Sequence, residues 1–234
     1  MRAFGVVWRT IVSFYNEMFL LIGLSLLWWI TGGIFIGVAA VAASLGWPLF
    51  TMDDPWWLAP LLAIPVGPAT AALAHVARRV AREERVDSSF YWEGFRLYWR
   101  KALALSAISM IILSLLCLNL AFYKGLTITV LQALSFLWLY LVVFWLCAQL
   151  YLFPVLIALK EPKIWAALRT TAVVAFANPL YSIVLLILAL ALTALCVVLA
   201  ILVPLAWPAL MLLLGENALK LLLERAGIKS EDKE

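Results

Sequence analysis

The sequence predicts an all-α fold, a polytopic membrane bundle of about six transmembrane spans with two amphipathic interfacial segments on the cytoplasmic side. Of its 234 residues, 67% are hydrophobic and 13% are charged, whereas about a quarter of the residues in a soluble domain are charged. The mean hydropathy is +1.07. Long uncharged intervals each reach the ~20 residues that a helix needs to cross a bilayer. We therefore expect one membrane domain covering residues 1–234.

The first predicted span covers residues 18–45. Residues 1–17 precede it and combine arginines with aromatic side chains, a composition typical of a helix that lies in or rises through the headgroup region. Gly33 and Gly37 have the spacing of GxxxG, at which membrane helices approach closely. The frequent use of glycine in membrane helices explains this pair equally well.

The outer loop that follows contains Asp53 and Asp54 and no basic residue, so the positive-inside rule places it outside the cell. The second predicted span, residues 56–77, is interrupted by prolines, each of which lacks a backbone N–H. We expect the chain to break near residues 65–67 and to restart at Pro68, a good first helical residue. The restarted helix would then begin within the membrane.

The first cytoplasmic return follows this helix and carries aromatic and basic residues on separate helical faces. We interpret it as an interfacial amphipathic helix with an aromatic belt. Nucleic-acid surfaces also combine these residue types, but the adjacent spans favour a membrane surface, and no nucleic-acid partner is predicted. The interfacial residues of this segment are Trp92, Phe95, Arg96, Trp99 and Arg100.

Four further spans are predicted after this return. Trp165 and Arg169 belong to a second interfacial segment, which breaks at Asn178 and Pro179. We expect tilt, protrusion or a bend near Pro154, and interhelical hydrogen bonds from Gln132 and Gln149. The predicted spans are residues 102–123, 127–159, 180–203 and 205–226.

The distribution of lysines and arginines between the two sides of the membrane is a check on this predicted topology. With both termini in the cytoplasm, only Lys124 of the 17 lysines and arginines lies outside. The resulting bias is the one that the positive-inside rule describes. It also predicts contact with anionic lipids of the inner leaflet. The small-residue faces predict a homo-oligomer or a membrane-protein partner.

Three segments carry a family resemblance: GPATAALAHVARRVAREE, then FYWEGFRLYWRKAL, then YLFPVLIALKEPKIWAALRTTAVVAFANPLYSIVLLIL. Their order resembles the YesL family of bacterial integral membrane proteins over residues 60–225. The resemblance implies a bacterial plasma-membrane protein of unknown function, in a family often encoded beside carbohydrate-uptake systems. It supplies no catalytic residues. The chain departs from the family in its longer first hairpin, which contains DDPWW.

The first candidate ligand site is the predicted intramembrane helix start. Free N–H groups there would bind an anionic or hydroxyl-rich group, as in transporters with broken helices. A proline kink whose freed groups are satisfied by neighbouring helices is the preferred interpretation. The candidate residues are Gly67, Pro68, Ala69 and Thr70.

His75 is the only histidine and the second candidate. A histidine in a span can ligate haem or a chlorophyll magnesium, or relay protons. It has no second histidine to complete a site with two imidazole ligands. We prefer a hydrogen-bonded structural histidine, and no metal or other cofactor is predicted.

The third candidate is a polar stripe on the last helix, formed by Glu216, Asn217, Lys220 and Glu224. Ionisable groups in a span usually face protein or water, so the stripe is either a cavity wall or a partner surface. The alternative is a span whose lower half is already interfacial. In that case Glu216 and Lys220 form an ordinary surface ion pair.

Function is constrained mainly by what is missing from the sequence. It contains no HExxH, GxSxG, P-loop or dinucleotide motif, so we predict a protein that is not an enzyme. The first hypothesis is an accessory or scaffold subunit linked to carbohydrate or solute uptake. The alternatives are a small permease with a site at the broken second helix, and a haem- or chlorophyll-binding subunit of an electron-transfer complex.

Overall fold

The computed structural model describes residues 2–35, 37–38, 56–124, 129–159 and 163–225. Every regular element in these ranges is a helix, which confirms the all-α prediction. In chain order the elements are α1 (Arg2–Asn16), α2 (Met18–Trp28), a π-helical turn (Trp29–Gly33), a 3₁₀ segment (Trp56–Val66), α3 (Gly67–Ala81), α4 (Ser89–Lys124), α5 (Thr129–Ala158), α6 (Ile164–Ala177), α7 (Pro179–Val198), the short α8 (Leu202–Leu205) and α9 (Trp207–Arg225).

Several of these helices have the length and composition needed to cross a membrane. Among the described residues there are four, Ala59–Ala81, Ser89–Lys124, Gln132–Ala158 and Pro179–Val198, or up to five if a bent pair at the N-terminus counts as one span. Helix α9 covers the predicted sixth span but is not among them. The prediction of a helical protein with several long apolar helices is confirmed; the number six stays a prediction.

The bent pair consists of α1 and the helical run from Met18 to Gly33, which meet at 95°. Helix α1 is amphipathic: Val6 and Thr10 are buried on one face, whereas Trp8 and Tyr15 are 68% and 74% exposed on the other. The buried face packs against α9. Since a bend of this size turns α1 across the direction of α2, the two helices have different orientations relative to any membrane that α2 crosses.

Helix α3 is the centre of the bundle. Its sequence is rich in alanine, and ten of its fifteen residues are buried. The helices packed around it are α4, α9, α5 and α2. Small side chains let these neighbours approach its backbone closely, which favours van der Waals packing between membrane helices.

The same small-residue rule acts at the π-helical turn, but at a different glycine from the predicted pair. A β-carbon at Gly32 would lie 2.7 Å from the β-carbon of Ala69, so Gly32 makes the close contact with α3. Gly33 is buried, whereas Gly37 is exposed. The predicted face through Gly33 and Gly37 is therefore not the one that packs against α3.

Helix α3 ends in a Schellman motif. The N–H of Glu84 donates to the carbonyl of Arg79 at 3.1 Å, and the N–H of Glu83 donates to that of Val80 at 3.0 Å. Glu83 adopts φ 60°, a left-handed conformation that usually selects glycine at this position. The motif satisfies carbonyls at the helix end and turns the chain towards α4.

Helix α4 differs from the expectation. The segment from Trp92 to Arg100 is not a separate interfacial helix, because one continuous helix of 36 residues runs from Ser89 to Lys124. By contrast, Trp165 and Arg169 do lie on a separate helix, α6, and the predicted break is confirmed because α7 begins at Pro179.

Helix α5 continues through Pro154 without a break. A proline cannot donate to the carbonyl four residues earlier, here that of Leu150. A β-carbon at Gly215 of α9 would collide with this Leu150 oxygen. The glycine therefore lets α9 pack directly against the backbone of α5 at the proline.

Some predicted features lie outside the described residues. These are residues 39–55, which include the end of the first span and the acidic pair Asp53 and Asp54, together with the C-terminal residues 226–234.

Candidate functional site

The predicted break in the second span is a change of helix type. The 3₁₀ segment contains Pro60 and Pro65 and passes into α3 at Val66, whose φ of −74° and ψ of −20° are helical. Residues Ala59–Ala81 form one helical run of 23 residues. The α-helix thus begins at Gly67, one residue before the predicted restart at Pro68, but the 3₁₀ turns before it keep the chain helical, so the candidate site does not lie at an isolated helix start.

Polar groups at this junction are paired with neighbouring helices. The Thr70 hydroxyl donates to the Val66 carbonyl at 2.9 Å and accepts from the indole N–H of Trp28 at 3.1 Å. The Ser106 hydroxyl of α4 donates to the carbonyl of Ile64 at 2.9 Å. This pattern is the one expected of a proline-containing helix whose polar groups are satisfied by its surroundings.

Gly67 lies where α4 crosses α3. A β-carbon at Gly67 would collide with the Ser106 hydroxyl and would lie 2.8 Å from the carbonyl oxygen of Ala102. The glycine therefore permits the close approach of the two helices that allows Ser106 to reach Ile64.

A cavity of about 300 Å³ lies beside this crossing, and we call it the junction cavity. It brings together two of the four predicted residues, Gly67 and Thr70. Pro68 and Ala69 are buried in helix packing and do not line it. Its other principal walls are Trp28, Ser106, Met110, Gln149 and Trp207.

Gln149 on the rim of this cavity forms the interhelical hydrogen bond predicted for it, whereas Gln132, for which one was also predicted, is exposed. Its side-chain amide donates to the Ser109 hydroxyl of α4 at 2.7 Å. The Trp145 indole, one turn earlier on α5, donates to the Ser109 carbonyl at 3.2 Å. Helices α4 and α5 are thus joined by two polar contacts at one residue.

His75 lies on α3 against α4. Its ring is 5.9 Å from that of Tyr98, and a β-carbon at Gly94 would lie 2.8 Å from the His75 β-carbon. Both ring nitrogens are buried and have no hydrogen-bond partner in the described part of the chain. The hydrogen bond expected for a structural histidine is therefore not formed with any described residue. His75 lines neither the junction cavity nor the polar cavity described below.

The stripe on α9 is buried at Glu216 and Asn217, half-buried at Lys220 and exposed at Glu224. Asn217 donates to the Thr10 hydroxyl of α1 at 3.1 Å, and both side chains are buried. Lys220 donates to the Ala81 carbonyl at 3.2 Å, which places a cation at the C-terminal end of α3, where the helix dipole favours one. Lys220 and Glu216 form no ion pair in the described structure, so the predicted surface pair was wrong.

Glu216 is only 5% exposed, and its Oε1 atom has no hydrogen-bond partner among the described residues. The charged groups that act on it are those of Arg78, in the last turn of α3, and Arg82, directly after the helix. A buried carboxylate near two guanidinium groups fits the rule that ionisable side chains in membrane helices face the protein interior.

A second cavity, of about 630 Å³, lies between α1, the end of α3 and α9. We call it the polar cavity. Two members of the α9 stripe, Asn217 and Lys220, line it, whereas Glu216 does not. The remaining polar lining is formed by Arg9, Ser13, Asn16, Glu17, Glu83 and Glu84.

The predicted interfacial residues are mostly exposed. Trp92 and Trp99 are 46% and 43% exposed on α4, and Trp165 is 79% exposed on α6. The Arg100 guanidinium lies 5.0 Å from the centre of the Trp99 ring. Arg96 and Arg169 are also exposed, whereas Phe95 packs partly against the α3 core.

In the described residues, no group of three or more histidine, cysteine, aspartate or glutamate side chains is placed to hold a metal ion.

Several residues that contribute to these sites were not predicted. Ser106 and Ser109 lie three residues apart on α4, and that spacing within an apolar run was an available signal for a polar interhelical face. Thr10 gave no such signal, because its partner Asn217 on α9 lies 207 residues further along the chain.

Comparison with known proteins gives one match. Residues 21–120 match a family model described as a protein of unknown function, DUF624. The matched region contains the 3₁₀ segment, α3 and most of α4, and therefore Gly67, Thr70 and His75. Neither a curated protein nor a solved structure matches the chain.

The match agrees with the predicted resemblance in one respect, since the matched family is also one of unknown function. It ends before Pro154 and the Asn178–Pro179 break, on which the resemblance to the YesL family also depends. That resemblance stays a prediction.

Proposed function

We propose that this chain is a non-enzymatic, multi-pass protein of the bacterial plasma membrane that acts as an accessory or scaffold subunit. In this proposal both termini are cytoplasmic and α9 completes six crossings. The observation that carries it is the uneven coverage of the long helices. The most apolar windows of Ser89–Lys124 and Pro179–Val198 are each 22% buried, against 50% for Ala59–Ala81 and Gln132–Ala158.

Helix α7 has the clearest uncovered face. Leu180, Ile183, Ile187 and Leu190 are between 41% and 79% exposed and recur at spacings of three and four residues. We call this the α7 stripe. Residues at this spacing lie on one side of a helix and form the seam of many helix pairs. The stripe therefore supports assembly with a further membrane helix, from a second copy of the chain or from another subunit.

The geometry of the junction also favours a structural role. The hydroxyls of Thr70 and Ser106 donate to backbone carbonyls, and the Gln149 amide donates to Ser109. The Ser106 hydroxyl joins α4 to the 3₁₀ segment, and the Gln149 amide joins α5 to α4, as polar groups commonly do between membrane helices.

Site-specific photo-crosslinking tests the scaffold proposal. A photoreactive amino acid at Ile187, in the stripe, should give a protein adduct in native membranes, identified by mass spectrometry. The matched control is Leu195, which is 53% exposed on the same helix but off the stripe, and there only lipid adducts should form. Lipid adducts alone at both positions would contradict the proposal.

A small permease is the second candidate, and the junction cavity is the observation that favours it. Gly67 and Thr70 line this cavity together with Ser106 and Gln149. Gly67→Leu is a poor test, because any β-carbon there collides with α4. Met110→Phe is a better test, because it replaces a flexible side chain on the cavity wall with a ring that should fill the cavity. Uptake of a labelled monosaccharide into proteoliposomes, lost in Met110→Phe, would replace the scaffold proposal.

The third candidate function, that of a pigment-binding subunit, depends on His75 alone. A visible absorption band in the natively purified protein, removed by His75→Ala, would support that function instead.

A further inference from the structure

The polar cavity lies at a place where the chain changes direction. Helix α1 forms one wall and meets the α2 run at 95°. When α2 crosses the bilayer, α1 therefore lies along its surface. The outer face of this corner carries exposed Trp8, Tyr15 and Phe19, and tryptophan and tyrosine favour headgroup depth. In that orientation the cavity would lie among lipid headgroups.

The lining of the cavity combines both signs of charge. Arg9 of α1 and Lys220 of α9 supply cations, whereas Glu17 at the α1–α2 corner and Glu83 in the turn after α3 supply carboxylates. Glu84 also lines the cavity, but its carboxylate lies 3.8 Å from the Arg79 guanidinium. The cavity therefore suits a ligand that carries one anionic and one cationic group.

Two of the lining residues are held in place by other parts of the fold. Lys220 is bonded to the Ala81 carbonyl and Asn217 to the Thr10 hydroxyl. Such contacts fix the side chains before a ligand arrives, which reduces the entropy lost on binding. The volume of about 630 Å³ also falls in the ~300–1,000 Å³ range of small-molecule sites.

We infer that the polar cavity binds the headgroup of a zwitterionic aminophospholipid, with its phosphodiester against Arg9 and Lys220 and its primary ammonium against Glu17 and Glu83. Charge-assisted hydrogen bonds of this kind are among the stronger polar contacts in proteins. The exposed Trp8 and Val12, which also line the cavity, are placed to contact the glycerol and upper acyl chains.

The carboxylates decide which headgroup is favoured. A phosphoglycerol headgroup is anionic and carries no cationic group. It would therefore leave the acidic side chains of the cavity without a positively charged partner from the ligand. A quaternary choline group has the cation but no N–H to donate, whereas a primary ammonium has three donors. This inference is independent of the scaffold proposal and requires only that α1 lies at the membrane surface.

Native mass spectrometry of the full-length protein in detergent tests the inference. The probes are phosphatidylethanolamine, phosphatidylcholine and phosphatidylglycerol with identical acyl chains. We expect phosphatidylethanolamine to bind about fivefold more tightly than the other two, which corresponds to the loss of about one hydrogen bond. Equal binding of all three lipids would overturn the assignment.

Matched variants locate the site. Arg9→Gln should weaken phosphatidylethanolamine binding about tenfold, as expected when a contact with a charged group is lost. Arg9→Lys should restore most of it. Arg85→Gln removes an exposed arginine that does not line the cavity and should leave binding unchanged. Equal effects of Arg9→Gln and Arg85→Gln would show only a general loss of surface charge and would overturn the site.

A competition experiment distinguishes binding of the lipid headgroup from binding of free phosphate. Soluble glycerophosphoethanolamine should displace the lipid, whereas inorganic phosphate at the same concentration should not. Glu17→Gln should abolish the preference for phosphatidylethanolamine over phosphatidylglycerol. Equal displacement by phosphate, or an unchanged preference in Glu17→Gln, would overturn the ammonium contact. Size-exclusion profiles of the variants verify that each one remains folded.

Discussion

Helices α3 and α7 are opposites in composition and position. Helix α3 is rich in alanine, contains arginines and is mostly buried, whereas α7 is rich in leucine and is largely exposed. In a soluble protein the more hydrophobic helix would be expected inside. Between membrane helices hydrophobicity gives no such preference, and close packing of small side chains decides instead. The helix at the centre of this bundle is therefore the one with small side chains and not the most hydrophobic one.

The sharpest test of this comparison is to enlarge an alanine in each helix. Ala72→Leu places a larger side chain at a fully buried position of α3, where overpacking should lower the free energy of unfolding by about 3 kcal/mol. Ala194→Leu makes the same change at an exposed position of α7 and should have almost no effect. Unfolding by SDS in mixed micelles measures both, and equal losses would remove the distinction between the two helices.

A smaller effect is expected from the glycine that faces α3 from α4. Gly94→Ala adds a β-carbon 2.8 Å from that of His75, and we expect a loss of about 1–2 kcal/mol as the helices separate. Its control is Gly23→Ala in α2, where nothing lies within 4 Å of the added carbon.

That control should stabilise the protein by about 0.5–1 kcal/mol, the helix-propensity gain of alanine over glycine. The same substitution thus has opposite signs at the two sites. Two changes of the same sign, measured by the same titration, would contradict the close packing inferred around α3.

The smallest expected effect concerns the end of α3. Glu83→Gly removes a side chain from a left-handed residue and should raise the free energy of unfolding by about 0.5–1 kcal/mol. Arg85→Gly, two residues later, serves as the comparison and should be neutral or slightly destabilising. Thermal unfolding in lipid-free detergent measures the difference, and a loss of stability in Glu83→Gly would show that the Schellman motif does not define this helix end.

Much of the helical framework was predictable because apolar length and proline placement are local signals. The start of α7 at Pro179 and the end of α4 at Lys124 both lie within one residue of the predicted span ends. The start of α4 at Ser89 was missed, since an aromatic and basic pattern of helical period fits a helix along the membrane surface as well as one that continues into a span.

The candidate site was predictable only in part. Gly67 and Thr70 were found because prolines mark an unusual helix, but the 3₁₀ segment accommodates Pro60 and Pro65 without a break. The burial of Glu216 was not predictable, because it follows from helices that pack around α9 from distant parts of the chain. The pairing of Asn217 with Thr10 spans 207 residues, and no local pattern reveals such a contact.

The unbroken length of α4 has a mechanical consequence. Its 36 residues correspond to about 54 Å at 1.5 Å per residue, well beyond the ~30 Å of a hydrocarbon core. Trp92 and Lys124 therefore lie near opposite ends of one continuous α-helix, with no break in helix type between them. In a membrane that α4 crosses, a displacement of its Trp92 end would be transmitted along the helix to the opposite surface, past the crossing with α3.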